Sequence, residues 1–218
     1  MLVMPSRIKE DRLRMKLLLR TRCFEGLTSF RLLVVCCTFL VLSVGAGISG
    51  VTATPPENDF RVTTVFLVRH AERATSPPED PPLQEAGITR SQELAHILGK
   101  AGIKAIYTSQ FLRTKQTAEP LAKHLGIASI VLPIKMSSSN PRAVSQESIN
   151  ELAERIYQKA GENALIVGHS NTVPEVIRAL GGDVIPTIGE TEFDDLFVVT
   201  VYEKGKSRVT NLKYGQLH

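Results

Sequence analysis

Between about residue 60 and residue 205 the chain alternates short apolar runs with longer stretches in which apolar residues recur every three or four positions. The short runs Thr63–Val68, Ala105–Thr108, Ser129–Leu132, Ala164–Val167 and Leu196–Tyr202 predict strands, and the unbroken apolar Val65–Val68 reads as a strand covered on both faces. The intervening stretches predict helices over Gly87–Ala101, Phe111–Leu125, Gln146–Ala160 and Val173–Leu180. In the first of these, Ile88, Leu94, Ile97 and Leu98 fall on one face. Strands alternating with helices predict an α/β fold, a three-layer α/β/α sandwich around a mostly parallel central sheet. No internal repeat or low-complexity tract breaks the pattern.

The first strand ends on an unusual sequence. In VFLVRHAER, Val65 to Arg73, four apolar residues run directly into two arginines, a histidine and a glutamate. Ligands of open α/β sheets bind beyond the carboxyl ends of the strands, so this cluster falls where a site is expected. Two later strands end in a related way: IYTSQFLRT (106–114) enters a helix with Arg113 in its first turn, and LIVGHSNT (165–172) ends on His169 at a helix start. If these strands are neighbours, Arg69, His70, Arg113 and His169 converge on one edge of the sheet, where new helix N-termini add N–H donors and positive dipole ends. The proline-rich TSPPEDPP (75–82) that follows the first cluster is placed to wall such a site.

The pattern before residue 60 is different, and it changes the picture of charge. Residues 1–31 carry eight Lys/Arg against three acids, a net +5; the whole chain is +4, so the remainder is −1. A basic surface for nucleic acid is therefore not implied for the folded part. From Leu32 to Gly50 no residue is charged, which with the basic flank fits a signal peptide cut after Ala53 or a retained membrane anchor. Either places the domain outside the cytoplasm, periplasmic or extracellular. Met15, followed by Lys16 and Arg20, is an alternative start. A linker covers 54–59, and the domain is expected over 60–218, beginning near Phe60. Cys23, Cys36 and Cys37 all lie in the leader, so the exported part has no thiol nucleophile, thiolate metal site or disulfide.

Two guanidiniums and two imidazoles at one edge suit a small, doubly charged tetrahedral anion. Guanidinium forks match phosphate oxygens in pairs and stay charged at any working pH. A neutral imidazole can attack phosphorus, splitting one difficult displacement into two, while the second donates hydrogen bonds to charge on the equatorial oxygens.

Taken together, LVRHAER (67–73), TSQFLRTKQTA (108–118) and VGHSNT (167–172), supported by PLQEAG (82–87), resemble the histidine phosphatase superfamily, whose fold is phosphoglycerate-mutase-like. The resemblance spans about Val65 to Tyr202. It implies that His70 is the nucleophile forming a phosphohistidine, that Arg69, Arg113 and His169 bind the phosphoryl group, and that no metal or other cofactor is needed. The substrate implied is a small phosphorylated compound. Two features depart from the mutase pattern. Ser76 stands where mutases carry an asparagine, and no long insertion after the Arg113 helix supplies the usual glutamate acid. Glu72 is the nearest acid in sequence, with Glu190, Glu192 and Asp194 as alternatives; a salt bridge from Glu72 to Arg69 or Arg73 is the structural alternative to catalysis.

The functional expectation is an exported phosphomonoesterase. Alternatives are a phosphohistidine-protein phosphatase, which the leader separates from cytoplasmic signalling proteins, and a mutase, which the short chain disfavours. A phosphate-binding domain without turnover would require a damaged constellation, and a metal hydrolase on His70, Glu72 and His169 would set its cation beside arginines. Asn171 is expected to help start the helix after His169 and to border the substrate with Ser76. His96 and His124 read as partly exposed helix residues. Substrate choice is expected to rest on 73–82, 135–142 and 181–195; the oligomeric state is not legible.

Overall fold

A computed structural model of the chain describes residues 61–141 and 143–215. The leader and linker expectations, Phe60 as the domain start, Arg142 and His218 fall outside the described residues. Among those described, no helix is long and apolar enough to cross a membrane.

Five of the six strands follow the apolar runs: β1 (Thr63–Arg69), β2 (Ile103–Thr108), β3 (Ser129–Val131), β4 (Asn163–Gly168) and β5 (Asp195–Glu203). The helices are α1 (Glu85–Leu98), α2 (Leu112–Leu125), α3 (Gln146–Gln158) and α4 (Thr172–Ala179). A sixth strand, β6 (Lys206–Lys213), was not expected. It turns back on β5 through Gly205, whose positive φ of 79° the tight turn requires. The sheet order is β3-β2-β4-β1-β5-β6. β3, β2, β4 and β1 are mutually parallel, whereas β5 and β6 run antiparallel at one side.

Alternate residues of the central strands feed two cores. Val65 and Leu67 of β1 join Ile149, Ala153 and Ile156 of α3 and Val173, Val176 and Ile177 of α4. On the other face, Val68 and Ile106 pack against Leu94 and Leu98 of α1 and Ala118 and Leu121 of α2. Two helices per face complete the three-layer sandwich, and with both faces covered the middle strands carry the continuous apolarity read from the sequence.

One helix face departs from expectation. Ile88 and Ile97 are about half exposed, and the buried stripe of α1 is Gly87, Arg90, Ser91, Leu94 and Leu98. Gly87 lies so close to the backbone of Glu72 that an added Cβ would overlap Glu72 O. Arg90 reaches inward to Glu72, and these two contacts set the rotation of the helix.

Candidate active site

Strand register brings the cluster together. In the parallel pair β1–β4, Arg69 lies opposite Gly168, so His70 and His169 are the next residues out of adjacent strands. The His70 N–H continues the ladder by donating to Gly168 O at 2.9 Å. Thr108 lies opposite Val167 across β2–β4, which delivers Ser109 beside His169. The imidazoles stand edge to face with centroids 5.4 Å apart, and both residues are buried.

His70 is held by its own backbone: Nδ1 lies 2.8 Å from Ala71 O. A carbonyl only accepts, so Nδ1 carries the proton and Nε2 is left with its lone pair. Burial lowers the pKa of His70 to about 4, aided by Arg113, Arg69 and Arg73 and opposed by the bond to Ala71. Burial likewise lowers His169 to about 3, with His70, Arg113 and Arg69 adding to the effect. Both rings are therefore neutral near pH 7 in the free site. The turn after His70 is tied to α2, since Thr117 Oγ1 accepts the Ala71 N–H at 2.9 Å and donates to Arg113 O.

The two arginines are held differently. Arg69 donates through Nη1 to Gly189 O, Glu190 O and Glu192 O at 2.5, 3.0 and 3.2 Å, and its guanidinium lies 4.2 Å from the centroid of Phe193. That nitrogen is committed to the 189–192 loop, so Arg69 has fewer donors for an anion than a free fork would. Arg113 stacks on Phe111 at 4.2 Å, and its Nη1 lies 3.7 Å from Asp80 Oδ1. In both arginines Nε is buried without a hydrogen-bond partner, and burial lowers the pKa of each. Two buried, unpartnered cationic donors flanking two neutral imidazoles favour an anion. Exposed Arg73 adds charge that acts on Arg69, Arg113 and His70.

The proline-rich loop reaches this edge through Asp80, whose carboxylate accepts the Leu112 N–H at 2.9 and 3.1 Å. It thereby supplies the cap that Phe111 at the N-cap position of α2 lacks. Neither Asp80 nor the two phenylalanines was among the expected site residues. Asp80 lies within the loop expected to wall the site, Phe111 inside a quoted motif, and Phe193 within the 181–195 segment expected to govern substrate choice. Ser76 is exposed on the loop. Asn171 takes the N-cap position of α4 without a side-chain capping bond; Thr172 Oγ1 instead accepts the His169 N–H at 2.7 Å.

The carboxylates correct the sequence reading. Glu72 is held by Arg90: Arg90 Nε binds both its oxygens at 3.0 Å and Arg90 Nη2 binds Oε1 at 2.8 Å. A carboxylate gripped this way is poorly suited to delivering a proton. Glu192 Oε2 accepts the Gly189 N–H at 2.7 Å. Burial alone would raise the Asp194 pKa, but the hydrogen bond from Lys213 holds it below the ordinary value. Glu190 is exposed, and its charge acts more strongly on Arg69 than that of any other residue. His96 and His124 are exposed on α1 and α2. Among the described residues, no group of three or more His, Cys, Asp or Glu is arranged to hold a metal ion.

Residues 65–136 match the histidine phosphatase superfamily, branch 1. The superfamily resemblance read from the motifs is borne out by that match, which covers the His70 and Arg113 segments; His169 lies beyond it, directly after β4. No curated protein matches the chain by sequence. Solved structures similar in fold include the protein histidine phosphatase SixA complexed with tungstate, at 20% identity and TM-score 0.54, covering 69% of this chain and 96% of that one. A mycobacterial glucosyl-3-phosphoglycerate phosphatase is similar at 14% identity and TM-score 0.54, covering 72% and 100%. A phosphoglycerate mutase from Bacillus anthracis str. Sterne is similar at 16% identity and TM-score 0.54, covering 71% and 94%. At these identities the likeness is one of fold, the phosphoglycerate-mutase-like α/β sandwich.

Proposed function

We propose that the domain is a phosphatase that hydrolyses small phosphomonoesters through a phosphohistidine on His70. The observation that carries this reading is the bare Nε2 of a neutral, backbone-anchored imidazole set among Arg69, Arg113 and His169. His70 Nε2 attacks phosphorus, the P–O bond to the leaving group breaks, and water then hydrolyses the phosphoryl-histidine to orthophosphate. Arg113 and the uncommitted donors of Arg69 stabilise charge on the equatorial oxygens, and His169 contacts the same group. With Glu72, Glu192 and Asp194 engaged elsewhere, Glu190 is the remaining candidate for protonating the leaving oxygen. The chemistry is assigned to side chains alone, without a metal. The basic flank and the uncharged run from Leu32 to Gly50 support a reading in which this activity lies outside the cytoplasm, released or membrane-attached.

His70→Ala in the full chain tests the assignment: turnover of phosphomonoesters is expected to vanish while the fold is kept. Activity is expected to survive exhaustive dialysis against a chelator. Undiminished turnover in the alanine variant, or a loss on chelation that zinc restores, contradicts the mechanism.

A further inference from the structure

The hydrogens around His169 can be counted. Thr114 Oγ1 lies 2.8 Å from Phe111 O and 3.2 Å from Ser109 O. Carbonyls only accept, so the single Thr114 hydroxyl hydrogen is spent there. Ser109 Oγ lies 2.9 Å from Thr114 Oγ1, and the hydrogen between them must then come from Ser109. With its own hydrogen used, Ser109 Oγ can only accept from its other neighbours. One is the Phe111 N–H at 3.4 Å and the other is His169 Nε2 at 3.0 Å. His169 Nε2 therefore bears the proton and Nδ1 is bare. His70 is the reverse, protonated on Nδ1 through its bond to Ala71 O. The hydroxyls of Ser109 and Thr114 are both buried, so water does not readily substitute for either.

We propose that Ser109, held as an acceptor by Thr114, is a positioning residue that fixes His169 in the tautomer opposite to that of His70, so that an arriving phosphoryl group is bound together with one proton. The coupling rests on the reading of His169 as a phosphoryl ligand; the tautomer does not. A bare Nδ1 can only accept, and a phosphoryl dianion offers no hydrogen. Contact between them requires either a P–OH donating to Nδ1 or a second proton on the ring, which then donates from both nitrogens. The groups acting on the ring are His70 and Arg69 from β1, Arg113 from α2, Ser109 from the end of β2, the Phe111 ring at 5.4 Å and Thr172 at the start of α4. The charged ones are all cationic, so the ring stays neutral until an anion enters. Neutralisation by a bound dianion reverses that bias.

The test is the imidazole ¹⁵N spectrum of the full chain labelled at histidine, with His169 and His70 assigned by substitution. Wild type is expected to show Nε2–H for His169 and Nδ1–H for His70. Thr114→Val removes the acceptor of the Ser109 hydrogen without removing Ser109, which can then donate to His169 Nε2; the His169 tautomer is expected to switch to Nδ1–H. Ser109→Ala is expected to give a mixture. Titration calorimetry with methylphosphonate, at a pH where it is a dianion and, like a phosphomonoester dianion, has no P–OH hydrogen, in buffers of different ionisation enthalpy should show uptake of about one more proton in wild type than in Thr114→Val. An Nδ1–H tautomer of His169 in wild type, or an unchanged tautomer in Thr114→Val, overturns the proposal whatever the catalytic activity. Opposite tautomers in wild type with equal proton uptake in the two proteins overturn the coupling and leave the phosphatase assignment to be judged on turnover.

Discussion

Removal of the Arg90 guanidinium is expected to destabilise the domain more than a surface ion pair would. Its Nε and Nη2 hold both oxygens of Glu72, Nη1 donates to Tyr214 O at 3.1 Å, and the two side chains are only 8% and 12% exposed. Arg90→Met keeps the aliphatic stem and leaves a largely buried carboxylate and a carbonyl without their partner. Breaking a buried pair from one side costs about 3 to 5 kcal/mol, against a fraction of 1 kcal/mol for an exposed pair. With a urea slope of roughly 2 kcal/mol per molar, the unfolding midpoint should fall by about 1.5 to 2.5 M. The Glu72→Gln variant should lose less, because an amide still accepts from Arg90, and the double variant should be less destabilised than the sum of the two. A midpoint shift below about 0.5 M for Arg90→Met, equivalent to roughly 1 kcal/mol, would refute the view that this pair fastens the turn after His70 to α1. The same variants address the proton donor. If Glu72 delivered the proton, Glu72→Gln would remove a limb of the pH–rate profile, which Arg90 substitution alone would not do.

Three further outcomes follow from the geometry. Arg113→Ala should lower kcat/KM by about a hundredfold or more, and Arg113→Lys should recover little, since a point charge does not replace the planar fork; near-full activity with lysine would contradict that picture. Because His70 and His169 titrate lower when folded, at about 4 and about 3 against 6.5, the unfolded chain binds more protons below pH 6.5. The stability they confer is complete above that pH and is lost as pH falls towards 4, roughly 3 kcal/mol for His70 alone; urea midpoints should show the fall, and His70→Gln with His169→Gln should flatten it. Gly87→Ala should cost about 1 to 3 kcal/mol by forcing a methyl onto Glu72 O, and an unchanged thermal midpoint would show that α1 moves freely away from the turn.

What was legible in the sequence follows from how each element is buried. β1 and β4 have covered faces, so their apolar runs are continuous and their ends mark the site. β6, by contrast, is an exposed edge strand, KSRVTNLK, with only Val209 and Leu212 apolar, and its cationic residues blunt the edge. The stripe of α1 was misread at Ile88 and Ile97 because Gly87 and Arg90 occupy the inward positions for reasons that apolar periodicity does not register. Proximity in sequence made Glu72 a candidate acid, but its partner is Arg90, 18 residues on. Ser109 was visible within a motif, while its role depends on a contact with a residue 60 positions away. His70, His169, Arg69 and Arg113 were legible because each directly follows, ends or closely succeeds a buried strand, where the fold class itself directs attention.

The proposed mechanism turns on a covalent bond between His70 Nε2 and phosphorus. Rapid quench of the full chain during turnover of a ³²P-labelled phosphomonoester, followed by peptide mapping, tests it directly. The expected result is a phosphoryl adduct on His70 that is labile to acid, stable to base and absent from His70→Ala. An acid-stable adduct, or one on another residue that persists in His70→Ala, would contradict it.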